Sequence, residues 1–147
     1  MTPIEHTPTR TGRPAVVAMG AGLALTVVAV VVPFLDRTLL ADHVRAGYPT
    51  FSAERIDAAV STWLAVLTTV GVLAALSWAT AIWAVRTGRR WARPFATALF
   101  VLGTAVALTL LLIRDTSGDT GLPPSLGWLG TLPAVAGLVA VGLLWRR

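Results

Sequence analysis

The stretch RTGRRWARP, Arg86–Pro94, decides how this chain is organised. It places Arg86, Arg89, Arg90 and Arg93 between two long apolar runs. Basic residues in short loops between membrane spans are held on the cytoplasmic side of the bilayer. We therefore expect this loop to be cytoplasmic. Because each span crosses the bilayer once, the number of spans between this loop and any other segment predicts the side of the membrane on which that segment lies.

The composition is that of a membrane protein. Of the 147 residues, 55% are hydrophobic and 13% are charged, with a mean hydropathy of +0.73, whereas soluble domains carry about 25% charged residues. The net charge is +5, and all 12 basic residues are arginine. Because these arginines flank the apolar runs and do not line one soluble face, we expect no nucleic-acid partner. Arginine without lysine, among abundant Ala, Val, Leu and Gly, is typical of a GC-rich genome and indicates an actinobacterial source.

The apolar runs predict an all-α fold, a transmembrane four-helix up-down bundle with both termini inside (N-in and C-in). We expect residues 1–14 to form a disordered cytoplasmic tail and residues 15–147 to form a single transmembrane domain. The first run exceeds the roughly 7–15 apolar residues of a signal peptide, so we expect it to be retained. The predicted spans are about 15–35, 58–85, 95–113 and 126–145, close to the roughly 20 residues that a crossing needs.

The longest polar stretch joins the first two spans. Leu39, Leu40 and Val44 can share one side of a short helix lying on the membrane surface. Gly47 is suited to the left-handed position that follows such a helix. Ser52 is a good N-cap for the second long helix, which can therefore start at residue 53.

That second helix is longer than a bilayer core, because about 33 residues at 1.5 Å each reach about 50 Å. Either the helix tilts or its first turns project from the membrane. Its charged residues all lie in the first turns, so we favour projection. Farther along the chain, Pro94 suits the first turn of the third long helix, and Ser125 can cap the fourth.

The distribution of charge sets the predicted orientation. The tail, the arginine loop and the C-terminus hold eight arginines and one acid, whereas the outer segments hold four arginines and six acids. This excess of arginine indicates the N-in, C-in orientation in the cell membrane. Trp83, Trp91 and Trp145 fall near the inner interface and Trp128 near the outer one, as in an aromatic belt.

The predicted spans exclude several activities, because they contain no Asp, Glu, Lys, Arg or His. Ionisable residues inside a bilayer mark ion and proton paths, so an ion-coupled transporter such as a small multidrug antiporter is disfavoured. His6 and His43 lie outside the spans, which argues against haem. The chain has no cysteine, which excludes thiol chemistry. Without a nucleophile, base and orienting group together, we expect no enzyme activity, no catalytic residue and no cofactor.

Two polar features outside the spans are candidate cation sites. Asp115 and Asp119 alternate with Ser117 as at the start of a calcium loop, but the glycine at the sixth position and the glutamate at the twelfth are missing. We therefore favour a capped turn. His43 could bind a cation together with three carboxylates, and the alternative that we favour is an exposed interfacial histidine. These carboxylates are Asp36, Asp42 and Asp57.

Small residues recur at four-residue spacing, and such pairs let helix backbones approach closely, within one bundle or at a dimer face. We favour packing within the bundle. The pairs are Ala18/Gly22, Gly20/Ala24, Gly71/Ala75, Gly103/Ala107 and Ala136/Ala140. Hydroxyl side chains in the spans can bond their own helix or a neighbouring one. The four loop arginines, with Trp91, can contact anionic lipid headgroups, at about 1 kcal/mol per basic residue.

Three stretches, ADHVRAGYP at 41–49, TGRRWARP at 87–94 and RDTSGDTGLPP at 114–124, resemble those of small actinobacterial four-span membrane proteins of unassigned function. The resemblance covers residues 15–147. It implies the four-helix bundle and brings no catalytic residue and no substrate.

These observations leave three functional hypotheses. In the first, the chain is a non-enzymatic integral membrane protein that assembles with itself or with a membrane partner. In the second, an oligomer forms a small channel or carrier for a neutral or lipid-like solute, with Thr68, Thr69 and Thr104 lining the path. In the third, Asp115 with Asp119, or His43, forms an extracytoplasmic cation sensor.

Overall fold

The computed structural model describes residues 12–146, which form five α-helices joined by short connections. The helices are α1 (Arg13–Leu35), α2 (Thr38–Gly47), α3 (Ala53–Arg86), α4 (Ala92–Leu112) and α5 (Pro124–Trp145). By length and composition, α1, α3, α4 and α5 are long and apolar enough to cross a membrane. The predictions of an all-α fold and of four such helices are confirmed.

The start of α1 differs from the sequence-based prediction. Arg13 and Pro14, which we assigned to a disordered tail, form the first turn of α1. Proline is tolerated there because its missing N–H has no helical acceptor to serve. The rest of the predicted tail, residues 1–11, lies outside the described residues. At its other end α1 continues through Pro33, which has no N–H to donate to the carbonyl of Ala29 four residues earlier.

One of the two capping predictions is confirmed. The Arg55 backbone N–H donates to Ser52 Oγ at 3.4 Å, and Ser52 takes the extended conformation of an N-cap. The Ser125 prediction is wrong, because α5 begins at Pro124, two residues earlier than predicted, and has no side-chain cap. The fixed φ of proline suits that first position.

The prediction for Gly47 is also wrong. This glycine is the last residue of α2, and positive φ angles within residues 12–146 are confined to Gly88 and Gly118. The helix ends without a left-handed residue, and the Tyr48 backbone N–H bonds the Val44 carbonyl at 2.9 Å. A left-handed glycine is therefore not needed to terminate α2.

The four long helices contact one another in a ring. α1 packs against α3 and α5, and α4 packs against α5 and, less extensively, against α3. Between α1 and α3, Trp78 lies over Gly22 and Val30 over Gly71, so closely that neither glycine has room for a Cβ atom. Two of the predicted small-residue positions thus serve packing within the chain.

The opposite pair, α4 and α5, also meets at glycines. A Cβ atom on Gly127 would lie 2.8 Å from Leu111 Cδ1, and one on Gly137 would lie 3.1 Å from Phe100 Cδ2. Near the chain's end, Trp145 Nε1 donates to Thr97 Oγ1 at 3.0 Å. These contacts run along most of both helices, so α4 is held mainly by α5.

Two apolar clusters lie at opposite ends of the long helices. The α2 cluster joins α2 to the first turns of α3 and to the start of α5, and consists of Leu40, Val44, Ile56, Val60, Leu64, Leu122 and Leu126. The arginine-end cluster joins the starts of α1 and α4 to the ends of α3 and α5, and consists of Ala15, Met19, Ala81, Ala96, Ala140 and Leu144. Leu40 is fully buried, which confirms the apolar side predicted for the short helix.

Candidate functional site

An apolar cavity of about 330 Å³ lies between the four long helices. All four contribute to its wall, and α3 and α4, the neighbouring pair with the least extensive contact, supply most of the lining residues. The cavity is partly open, and none of the described residues that line it is charged. An interior normally packs with few voids larger than a water molecule, so a space of this size is the leading candidate for a site.

The few polar side chains of the cavity wall are mostly bonded within the protein. Trp78 Nε1 donates to Thr26 Oγ1 at 3.1 Å, and Thr26 Oγ1 donates to the Gly22 carbonyl at 2.8 Å. Ser77 Oγ donates to the Leu73 carbonyl at 2.8 Å. These groups fix the wall and leave it largely apolar.

Thr104 is different. It lies in the cavity wall, and its Oγ1 atom is buried with no hydrogen-bond partner among the described residues. Two other threonines of α4 do have acceptors, because Thr97 and Thr109 donate to the carbonyls four residues earlier, at 3.0 and 2.8 Å. Leaving a buried hydroxyl unbonded costs about 1–3 kcal/mol, so Thr104 is the residue of the cavity wall whose side chain most needs a hydrogen-bond partner.

Only one of the three threonines named by the carrier hypothesis lies in the cavity wall. That residue is Thr104. Thr68 and Thr69 are not lining residues, and they donate to the carbonyls of Leu64 and Ala65 at 2.7 and 2.9 Å. The sequence could not separate the three, because the face that a threonine presents depends on which helices become neighbours.

The candidate cation residues of the α4–α5 loop (residues 113–123) form a capped turn. The Ser117 backbone N–H donates to Asp115 Oδ1 at 2.8 Å, and the Ser117 hydroxyl donates to the same oxygen. The Asp115 backbone N–H bonds the Asp119 carbonyl at 3.0 Å, and Gly118 turns the chain with φ +91°. The Ser117 hydroxyl bond lowers the pKa of Asp115 and outweighs the opposing effect of burial, and the Ser117 backbone N–H, Tyr48 and His43 add smaller lowering contributions.

His43 lies against the α4–α5 loop. Its Nε2 atom is 2.5 Å from the Thr120 carbonyl oxygen. Beside it, the hydroxyls of Tyr48 and Thr116 are hydrogen-bonded at 2.6 Å. Within residues 12–146 no group of three or more His, Asp or Glu side chains could hold a metal ion.

The carboxylates named with His43 bond other groups. Asp57 pairs with Arg37 at 3.4 Å and Asp42 with Arg45 at 2.7 Å, while Asp36 accepts from Thr38. The sequence did not predict the contact of His43 with the α4–α5 loop. Thr120 lies 77 positions after His43 in the chain, and no local pattern indicates a contact between residues so far apart.

The four arginines of the loop after α3 are exposed. Arg89 lies over the Trp83 ring, 5.2 Å from its centroid. Arg86 lines a second, more open cavity of about 640 Å³, whose apolar wall includes Leu23 of α1 and Ile82 of α3. The structure thus places a guanidinium at the end of an apolar groove between α1 and α3.

The pair Gly20/Ala24 is not used in packing among residues 12–146. Gly20 has no atom within 4 Å of the position where its Cβ atom would lie, and both Gly20 and Ala24 are exposed. By contrast, Gly22 and Gly71 are fully covered by α3 and α1 side chains, respectively. The Gly20/Ala24 face of α1 is therefore free for a close helix contact.

The geometry defines a helical protein with four helices of membrane-spanning length and an uncharged cavity between them. No protein-family model matches the chain, and comparisons with curated proteins and with solved structures find no significant similarity. The resemblance to small actinobacterial four-span proteins therefore stays a prediction, and the functional argument rests on the chain's own residues.

Proposed function

We propose that the chain is a multi-pass integral protein of the cell membrane, an up-down four-helix bundle with both termini inside. The composition of the two clusters supports this arrangement. The arginine-end cluster joins the starts of α1 and α4 to the ends of α3 and α5, as alternating helix directions require. The exposed arginines of the loop after α3 lie at this same end, and arginine-rich loops face the cytoplasm.

The first turns of α3 then project from the membrane on the outer side. Their support is α2, which packs against Ile56, Val60 and Leu64 in the α2 cluster. A helix of 34 residues is longer than a bilayer core of about 30 Å needs. The part of α3 that extends beyond the core packs against α2, beside the α4–α5 loop. The outer end is thus a small folded cap, with no separate soluble domain among the described residues.

The function that we propose is assembly within the membrane, by a non-enzymatic protein that contacts a second copy of itself through α1. The observation that carries it is the Gly20/Ala24 face, which no other part of the described chain covers. Small residues at four-residue spacing let two helix backbones approach closely and gain packing energy in lipid. In the alternative outcome of the same test, a different membrane protein binds this face.

The test is the mass of the particle in native lipid nanodiscs. We expect a dimer for the wild type, and a shift toward monomer for Gly20→Leu, because leucine separates the two backbones. Gly142→Leu is the matched control, since Gly142 also has open space around it and lies on another helix. A wild-type monomer with nothing co-purifying would overturn the proposal, and a stoichiometric second protein would replace self-assembly by partner assembly.

A second candidate function is an oligomeric channel or carrier for a neutral or lipid-like solute. The specific observation that favours it is the uncharged cavity reaching all four long helices. Thr104→Val should then reduce solute flux in liposomes, whereas Thr68→Val and Thr69→Val, which lie off the cavity, should leave it unchanged. Equal effects of the three substitutions, or no flux from the wild type, would reject this function.

The bilayer itself is the remaining proposed partner. Arg86, Arg89, Arg90 and Arg93 supply four exposed guanidinium groups at the inner interface, and the groove at Arg86 has an apolar wall. Anionic lipid headgroups with their acyl chains match this combination of charge and hydrocarbon. The cation-sensor hypothesis has no comparable support, because the carboxylates of Asp115, Asp42 and Asp57 each bond a neighbouring side chain of the protein.

A further inference from the structure

We propose that the cavity between the four long helices binds a neutral amphiphile, a molecule that carries one hydroxyl group on a hydrocarbon body. The inference deepens the second candidate function, because it concerns the same cavity. It requires binding alone and not transport, and it is independent of assembly through α1.

The size and lining of the cavity select a small apolar occupant. A volume of about 330 Å³ lies at the lower end of the roughly 300–1,000 Å³ range of ligand pockets. No charged side chain lies in its described wall, so a charged ligand would lose its hydration without gaining a partner. The hydrocarbon body of the occupant makes van der Waals contacts with the wall residues, which they lack when the apolar cavity is empty.

The unbonded Thr104 hydroxyl adds a polar requirement. Thr104 lies 12 residues after the first residue of α4, or about 18 Å along the helix axis. At that depth the acyl chains of bilayer phospholipids present only hydrocarbon. The Thr104 Oγ1 atom is buried in the rotamer present, and a threonine in a helix has a second accessible χ1 rotamer. After that change of χ1, an occupant with its own hydroxyl gives Thr104 a hydrogen-bond partner that a bilayer acyl chain cannot give.

One residue that lines the cavity also has a helix carbonyl without its usual donor. Ala29 lines the cavity, and its carbonyl receives no N–H from Pro33, which lies inside α1. A hydroxyl group both donates and accepts hydrogen bonds. An alcohol can therefore bond the Thr104 hydroxyl, which has no partner among the described residues, and the carbonyl of Ala29, which lacks its usual helical donor, is a second possible acceptor.

Photolabelling of the full chain in lipid nanodiscs tests the proposal. The probe is dodecanol carrying a photoactivatable diazirine in its chain, and unlabelled dodecanol and dodecane compete with it. We expect labelled peptides from the cavity-lining parts of α3 and α4, and competition by dodecanol at a concentration about fivefold lower than dodecane, the effect of one net hydrogen bond. Absence of label from these segments, or equal competition by the two molecules, would overturn the proposal.

Variants separate the hydroxyl from the cavity itself. Thr104→Val should abolish the preference for dodecanol while labelling persists, Thr104→Ser should keep the preference, and Thr109→Val, whose hydroxyl bonds Ala105, is the control. Gly103→Leu should suppress labelling by filling the cavity, because Gly103 lines it and has open space. Gly142→Leu is the control for that change.

The results distinguish this inference from the carrier function. Labelling with the expected Thr104 dependence but no flux would reject transport and leave the binding site. An unchanged dodecanol preference in Thr104→Val would reject the assigned hydrogen bond. If Thr104→Val fails to fold, the competition measured with the wild type and with Thr104→Ser still tests the proposal.

Discussion

The Trp78 side chain joins α1 to α3 by packing and by one hydrogen bond. Its ring lies over Gly22, where the absence of a side chain leaves room for it. Its Nε1 atom donates to Thr26 Oγ1 at 3.1 Å, and Thr26 is only 5% exposed. A single glycine and a single hydroxyl thus place an indole between two helices and satisfy its polar atom.

We expect Thr26→Val to lower the free energy of unfolding by about 1–3 kcal/mol, because the partly buried indole N–H of Trp78 loses its acceptor while the side-chain volume is nearly conserved. Unfolding in mixed detergent micelles measures the change. Thr69→Val is the control, since its hydroxyl bonds only its own helix, and it should stay within about 0.5 kcal/mol of wild type. Equal losses in the two variants would contradict the role assigned to this hydrogen bond.

Gly71 offers a second residue-scale prediction. A Cβ atom there would overlap the Cγ2 atom of Val30, and a β-branched side chain in a helix has little freedom to move aside. Gly71→Ala should therefore destabilise the protein by about 1–3 kcal/mol. Gly142→Ala, at a glycine with open space, should be neutral or stabilising because alanine is the better helix former, and thermal melting of both variants compares them.

Among the elements, α2 and the α4–α5 loop are linked by side chains that lie far apart in the chain. His43 and Tyr48 reach Thr120 and Thr116, and Gly47 lies against Ser117, whose Oγ atom would be 3.0 Å from an added Cβ atom. The hydroxyl of the same serine donates a hydrogen bond to the Asp115 carboxylate. α2 and the α4–α5 loop therefore behave as one polar unit built from two connections.

The pKa of Asp115 tests this unit. Ser117→Ala should raise that pKa toward the ordinary carboxyl value, because the largest cause of its lowering is removed, and Tyr48→Phe should raise it less. NMR titration of the aspartate measures both. The carboxylate's contribution to stability is present above the ordinary pKa of about 4 and is lost as the pH falls through the lowered pKa of the folded protein. A larger rise in Tyr48→Phe than in Ser117→Ala would contradict the assignment.

Much of the element structure can be predicted from sequence, because each long helix is an uninterrupted apolar window ended by polar or turn-forming residues. The apolar side of α2 and the Ser52 cap are equally local, and both are confirmed. Errors occurred at helix ends with prolines and glycines. Pro14 and Pro124 start helices earlier than predicted, since proline suits the first turn, and α2 ends without a left-handed glycine.

The candidate site could not be predicted in the same way. Thr68, Thr69 and Thr104 are alike in sequence, and only the arrangement of helices places Thr104 in the cavity wall. Likewise the sequence marks Gly20 and Gly22 as equivalent small residues, but the structure covers one and leaves the other open. Helix neighbours are set by packing between distant segments, and a membrane-spanning sequence carries little amphipathic signal about them.

For the whole molecule, the proposed orientation predicts which loops are accessible from each side of the membrane. The chain has no native cysteine, so single cysteines can be introduced without background. In intact cells, a membrane-impermeant maleimide should label Thr50→Cys and Thr116→Cys but not Thr87→Cys, which should react only after the membrane is opened. The reverse pattern would overturn the N-in, C-in orientation.

The position of α5 in the ring bears on the order in which the protein is built. α1 and α4 both make their most extensive contacts with α5, which is synthesised after both of them. Chains fold from the N-terminus as they emerge at about 5–20 residues per second, so until α5 emerges the main contacts open to α4 are the less extensive ones with α3. A ribosome stalled before residue 124 would therefore leave an unclosed chain, whose exposed α1 and α4 faces are targets for membrane quality-control proteases.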